Sequence, residues 1–207
     1  MITCQCIARW IALMCAVQLP TAWASQSLQI WIYPHDELAD ISEHELRNDY
    51  FQQWLDEMRS FTSHPIEVIF QRNIPGLTDV AYASKSSYET LDAFRDALRH
   101  RLTTSFSFMR KHLLLTRGVF DRSGLNYNAG LAEQGGTHAI ASLDTFKAPA
   151  HELGHLLDAT HEDAATQFNG WFCETYMAPR NPLRSHCYRY SDKNRANIAD
   201  YLKYNSN

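Results

Sequence analysis

His151, Glu152 and His155 stand in the order His-Glu-x-x-His, and a third histidine, His161, follows six residues later. Residues four apart on an α-helix share a face and lie about 6 Å apart along its axis, so both imidazoles can bind one metal ion. Glu152 then reaches a water in the open coordination position, the arrangement of a metal-assisted hydrolase. The pentapeptide arises by accident in about 2 of 100 such chains, and the added histidine lowers that to about 1 in 1,000. Three imidazoles and a water form the open tetrahedral site of a catalytic zinc, whereas a structural zinc is closed by four protein ligands that usually include thiolates. The bland alternative for each histidine taken singly is a solvated or packed imidazole. On an unbroken helix His161 would sit about 240° around and about 9 Å beyond His155, so it joins the others only if the helix stops near Leu157. Asp158 lies at the turn this demands and is itself an alternative third ligand if the helix breaks early.

The helix that carries the motif is expected over 145–157, with Asp144 or Thr145 as N-cap and Pro149 near its first turn, where a missing N–H costs little. Upstream, Leu28, Ile30 and Ile32 alternate with Gln29, Trp31 and Tyr33 as a strand. Ser42-x-x-Glu45 opens a helix over 42–61 with Leu46, Tyr50, Trp54, Met58 and Phe61 on its apolar face. Pro65 ends it, and 66–71 reads as a second strand. Ser86-x-x-Glu89 opens another helix, with Leu91, Phe94, Leu98 and Leu102 on one face. The continuous apolar run 112–116 predicts a central strand buried on both faces. Residues 130–132 and 137–142 are short strands separated by the Gly135-Gly136 turn signal. From Glu162 the chain reads as mostly irregular until a last helix near 194–202.

Of the 207 residues, 45% are hydrophobic and 20% charged, the composition of one globular domain rather than a disordered or repetitive chain. A net charge of -4 gives no basic field for a polyanion, so no nucleic-acid partner is expected. Residues 1–24 read as a secretory signal: Arg9, an apolar core over 10–17, and a small-residue site at Ala22-Trp23-Ala24. That core falls short of the roughly 20 residues that span a bilayer. The expectation is a single mature domain over 25–207, secreted or periplasmic, monomeric, without stable membrane association and with no room for a pro-segment. Three of the five cysteines lie in the first fifteen residues; Cys173 and Cys187 remain, and in an exported protein a lone pair is most simply one disulfide. The alternative is two unpaired buried thiols.

Together, HELGHLLDATHED at 151–163 resembles the HExxHxxGxxH signature of the metzincin metallopeptidases. Cys173-Glu-Thr-Tyr-Met177-Ala-Pro179 resembles the Met-turn that lies beneath the metal in that clan, and with YRYSD at 188–192 is most similar to the reprolysin (adamalysin) branch. The resemblance implies an α+β, zincin-like fold: a mixed twisted sheet of about five strands backed by two helices, an active-site helix carrying HExxH, and a small C-terminal subdomain with the Met-turn. It implies His151, His155 and His161 as ligands of one catalytic Zn2+, Glu152 as general base, and Met177 as the Met-turn methionine, a residue otherwise read as core packing. It also places Gly130, Leu131 and Ala132 where the substrate-pairing edge strand lies. Asp158 departs from the family glycine at a position requiring positive φ, which Asp tolerates at about 1 kcal/mol. Pro179 replaces a tyrosine that some branches carry, leaving a part for Tyr176 in oxyanion stabilisation unassigned. The expected function is that of an exported zinc endopeptidase acting on protein or peptide substrates. Its rivals are zinc hydrolysis of a non-protein amide such as a peptidoglycan cross-link, and a catalytically silent zinc-stabilised binding protein; a purely structural site has no use for a base at Glu152.

Overall fold

The alternation in the first strand buries Leu28, Ile30 and Ile32 completely on one side. In the computed structural model, which describes residues 26–101, 107–124, 126–179, 181 and 183–206, this strand is β1 (Leu28–Pro34). It pairs in parallel with β2 (Ile66–Phe70) and β3 (Arg110–Thr116). A small hairpin follows, β4 (Phe120–Ser123) with β5 (Asn126–Asn128), then β6 (Gly130–Ala132) and β7 (His138–Ser142). The sheet order is β2-β1-β3-β7-β6, with only the edge strand β6 antiparallel to its neighbour. β3 is thus central, and its run of leucines serves two cores: Leu113 and Leu115 face one side, Leu114 the other. The signal segment and Leu102 lie outside the described residues.

Both capping boxes form, Ser42 with Glu45 and Ser86 with Glu89. The first helical rod is α1 (Glu43–Leu46), a π-helical turn (Arg47–Phe51) and α2 (Gln52–Phe61). The extra residue per turn in the π segment moves the buried face by one position. Phe51 therefore enters the core, and Tyr50, expected there, lies half-buried against Phe146. The two helices expected to back the sheet divide its faces. α2 packs on the side of Leu113 and Leu115, while α3 (Ser87–Arg99) packs Leu91, Phe94 and Leu98 against Tyr33, Leu114 and Ile140 on the other.

The motif helix α4 (Ala148–Leu156) shares the α2 face and begins three residues later than expected. Asp144 and Thr145 are not its caps: Lys147 holds that place without a side-chain hydrogen bond, and Pro149 falls in the first turn. The final helix α5 (Asp192–Asn205) is longer than its apolar pattern implied and is capped by Ser191. Between them the region expected to be irregular contains three short strands, β8 (Thr166–Phe168), β9 (Phe172–Glu174) and β10 (Ser185–His186). β10 lies parallel to β9, and Cys173 bonds to Cys187 across this pairing with a Cα–Cα distance of 5.1 Å.

A stacked histidine pair gives the fold an acid sensitivity. His112, 3% exposed, meets the Tyr33 hydroxyl at 3.0 Å and stacks on His138. Burial pushes its pKa down to about 3, so the folded protein holds it neutral. Between pH 3 and the ordinary histidine value the unfolded chain binds a proton that the fold refuses, so this stability is present above about pH 6.5 and lost as pH falls through the window. Urea midpoints of the parent are expected to drop from pH 6.5 to 4.5, and to drop less in His112→Asn; equal slopes in both proteins would remove His112 from the account.

Candidate metal centre

The end of α4 decides whether a third histidine can reach the first two. Asp158 has φ +68°, the left-handed conformation that closes a helix. Its N–H bonds to the His155 carbonyl at 3.1 Å and the Ala159 N–H to the Gly154 carbonyl at 2.9 Å, the two bonds of a Schellman motif. The chain then doubles back, and Nε2 of His161 lies 2.9 Å from Nε2 of His151 and 3.1 Å from that of His155. Among the described residues these three form the one cluster of metal-ligating side chains. Asp158 does not enter it; its Oδ1 accepts from Gln134 Nε2 at 3.0 Å.

The far sides of two rings identify the tautomer. His151 Nδ1 faces the Tyr176 carbonyl at 2.8 Å, and His155 Nδ1 faces Gln134 Oε1 at 2.9 Å and the Ala159 carbonyl at 3.1 Å. Acceptors at those positions place the proton on Nδ1, leaving the Nε2 of each ring as the unprotonated nitrogen that faces Nε2 of His161. Burial holds His151 down to about 3 and His155 to about 4, so neither ring is positively charged at neutral pH. Converging lone pairs repel unless a cation lies between them. Three nitrogens bound at about 2.0–2.1 Å in a tetrahedron would stand about 3.3 Å apart, close to the spacing found. The donor set, three imidazoles with no thiolate, fits a zinc ion with an open fourth position.

Glu152 is 5% exposed beside this cluster, and burial raises its carboxyl pKa to about 8; a cation at the three nitrogens favours the ionised form. Its place depends on Gly130 in the edge strand. A Cβ at Gly130 would lie 2.5 Å from Glu152 Oε1 and 2.7 Å from the Ile140 carbonyl. A cleft of about 680 Å³ runs past both, lined also by Asn128, Thr145, His151, His161 and Pro179. Of the three residues expected at the substrate edge, Gly130 lines the cleft, whereas Leu131 packs toward α3 and Ala132 toward the main core.

Met177 is fully buried in a tight turn closed by the Ala178 N–H to the Thr175 carbonyl at 3.0 Å. It lies under α4 at Gly154, where an added Cβ would stand 2.6 Å from the Met177 sulfur. Tyr176 contributes its carbonyl to His151, while its ring, 4% exposed, packs on Tyr190. Tyr190 in turn donates its hydroxyl proton to the Ala150 carbonyl and accepts from Trp54 Nε1, tying the rod to the motif helix.

Three polar residues that the sequence reading did not single out fasten this assembly. Lys111, fully buried, donates to the carbonyls of Gly136 at 2.5 Å and Leu156 at 2.7 Å and to the Tyr201 hydroxyl at 2.7 Å, which satisfies all three of its N–H groups at the negative end of α4. Lys147 donates to the Ala178 carbonyl at 2.6 Å and to Glu174 at 3.4 Å, joining the start of α4 to the Met177 turn. Gln134 touches both His155 and Asp158. The one local sign was Lys111 itself, a charge beside the apolar run of a central strand.

No protein-family model matches the chain, and no curated protein matches it by sequence. Solved structures do. Metalloproteinase-II from Bacteroides fragilis superposes with a TM-score of 0.61 at 20% identity, over 86% of this chain and 53% of the other. Archaemetzincin from Methanopyrus kandleri gives 0.51 at 16% identity, over 89% and 99%. Neither is described as a reprolysin, so the fold likeness lends nothing to that branch in particular. At such identities the likeness speaks for the fold and leaves the chemistry to the residues: the chain has a mixed α+β fold similar to that of archaemetzincin and metalloproteinase-II.

Proposed function

We propose that the protein is a zinc-dependent endopeptidase of metzincin type. The observation that carries this is the convergence of three histidine Nε2 atoms beside a buried carboxylate at the wall of an open cleft. His151, His155 and His161 would hold the ion; when bound, it supplies Lewis acidity and lowers the pKa of water toward 7. Glu152 then acts as general base, accepting a proton from the attacking water and returning it to the leaving amine. Gly130 keeps the carboxylate in reach by offering no side chain, and an extended substrate pairs with the free edge of β6 beside it. The neighbours' names, metalloproteinase-II and archaemetzincin, agree with this chemistry. The finer likeness to the reprolysin branch rests on the sequence alone, Met177 and Pro179 with YRYSD at 188–192.

Casein or gelatin digestion with and without a chelator tests the reading. Digestion that stops with chelator and returns with zinc is the expected result; a folded, zinc-loaded protein that cleaves neither these nor a peptide library would instead be a binding protein. We further propose that the chain is exported after cleavage behind Ala24. Non-reducing mass spectrometry of exported protein is expected to show Ser25 as the first residue and Cys173 linked to Cys187, the linkage contributing roughly 3 kcal/mol. An intact Met1 or free thiols would refute it.

A further inference from the structure

Asp158 stands at a turn where glycine costs nothing, and the structure shows what the aspartate does there. Its Oδ1 accepts from Nε2 of Gln134 at 3.0 Å, and the same nitrogen lies 3.2 Å from the Ala159 carbonyl. On the other end of that amide, Oε1 accepts from His155 Nδ1 at 2.9 Å. One planar group thus grips the turn with its nitrogen and a metal-ligating ring with its oxygen. Glutamate lacks the donor for this, leucine lacks both functions, and asparagine is a methylene short.

The amide is itself held. Gln134 belongs to the turn between β6 and β7, where the Gly135 N–H donates to the His155 carbonyl at 2.8 Å. Lys111 binds the next carbonyl, Gly136, together with that of Leu156 at the end of α4. The turn and the helix end are therefore one fastened unit, and Gln134 spans from it to the loop that delivers His161. Hydrogen bonds in series polarise one another: a carboxylate accepting from the amide N–H makes the amide oxygen a better acceptor, and a ring whose Nδ1–H is held this way is a better ligand through Nε2.

We infer that Gln134 and Asp158 are a pair of positioning residues for the metal centre, a carboxylate–amide–imidazole clamp that strengthens metal binding where glycine at 158 would only permit the turn. This rests on the proposal that the three histidines bind zinc. The test measures zinc affinity by competition with a chromophoric chelator, and amide exchange in the zinc-free protein. Gln134→Leu is expected to lose 10- to 100-fold in zinc affinity and to speed exchange of the Ala159 amide at least tenfold, with the amides of 113–115 unchanged. Asp158→Gly, although the easier residue for the turn, is expected to weaken zinc several-fold, and Asp158→Asn, which keeps an acceptor oxygen, to restore it. The double variant should bind no more weakly than Gln134→Leu alone. Zinc bound as tightly by Asp158→Gly and Gln134→Leu as by the parent overturns the clamp. A parent that binds no zinc, with exchange at Ala159 still quickened in Gln134→Leu, overturns the functional reading and leaves the clamp as a fold device.

Discussion

Glu152→Gln is expected to keep about one zinc per chain while peptide hydrolysis falls by roughly 10² to 10⁴, the range a general base contributes. The substitution keeps the shape of the side chain and removes its ability to take a proton. Glu152 follows His151 directly, and with zinc held by the three histidines its carboxylate would serve the attacking water as base rather than the ion as ligand. Metal content by mass spectrometry under native conditions, measured beside hydrolysis rates, separates the loss of a base from the loss of the site. A variant as fast as the parent would show that the proton goes elsewhere. His155→Ala differs in kind: two imidazoles make a weak site, so metal and activity should vanish together.

Gly130→Val should lower hydrolysis on the order of 10²-fold with zinc retained, since misplacing a reacting group by about 1 Å costs that much. The new side chain would occupy space held by Glu152 Oε1 and Cγ, 2.5 and 2.6 Å from a Cβ. It cannot retreat, because the Ile140 carbonyl of the paired strand stands 2.7 Å away on the ladder. The carboxylate must therefore turn aside. A fall in kcat is the expected signature; parent-like kcat with only KM raised would mean that Gly130 serves substrate pairing and not the base.

What was legible in the sequence was what nearest neighbours along the chain decide. Ser42 and Ser86 cap their helices through residues three positions on, Gly135 takes φ +62° in the turn its type implied, and the leucines of β3 announce a strand covered on both sides. The HExxH spacing did the same for two imidazoles on one helix face, and the need for a sharp stop after Leu157 led to the conformation found at Asp158. The π turn escaped because an inserted residue leaves no mark in a periodicity of three and four; Tyr50 and Phe51 are both aromatic, and only packing chooses between them. The hairpin of β4 and β5 carries mostly polar residues and so no alternation to read. Gln134 and Lys111 escaped for a different reason. Their partners lie 24 and 45 residues away, and a polar side chain gives no hint of which distant carbonyl or ring it will meet.

X-ray absorption at the zinc edge of the purified, zinc-loaded protein tests the central claim most directly. It is expected to show three imidazole nitrogens and one further light atom at about 2.0–2.1 Å, and His161→Ala, left with two imidazoles, is expected to lose the zinc and with it the spectrum. A sulfur shell near 2.3 Å, or a spectrum that His161→Ala leaves unchanged, would contradict a catalytic centre built from His151, His155 and His161.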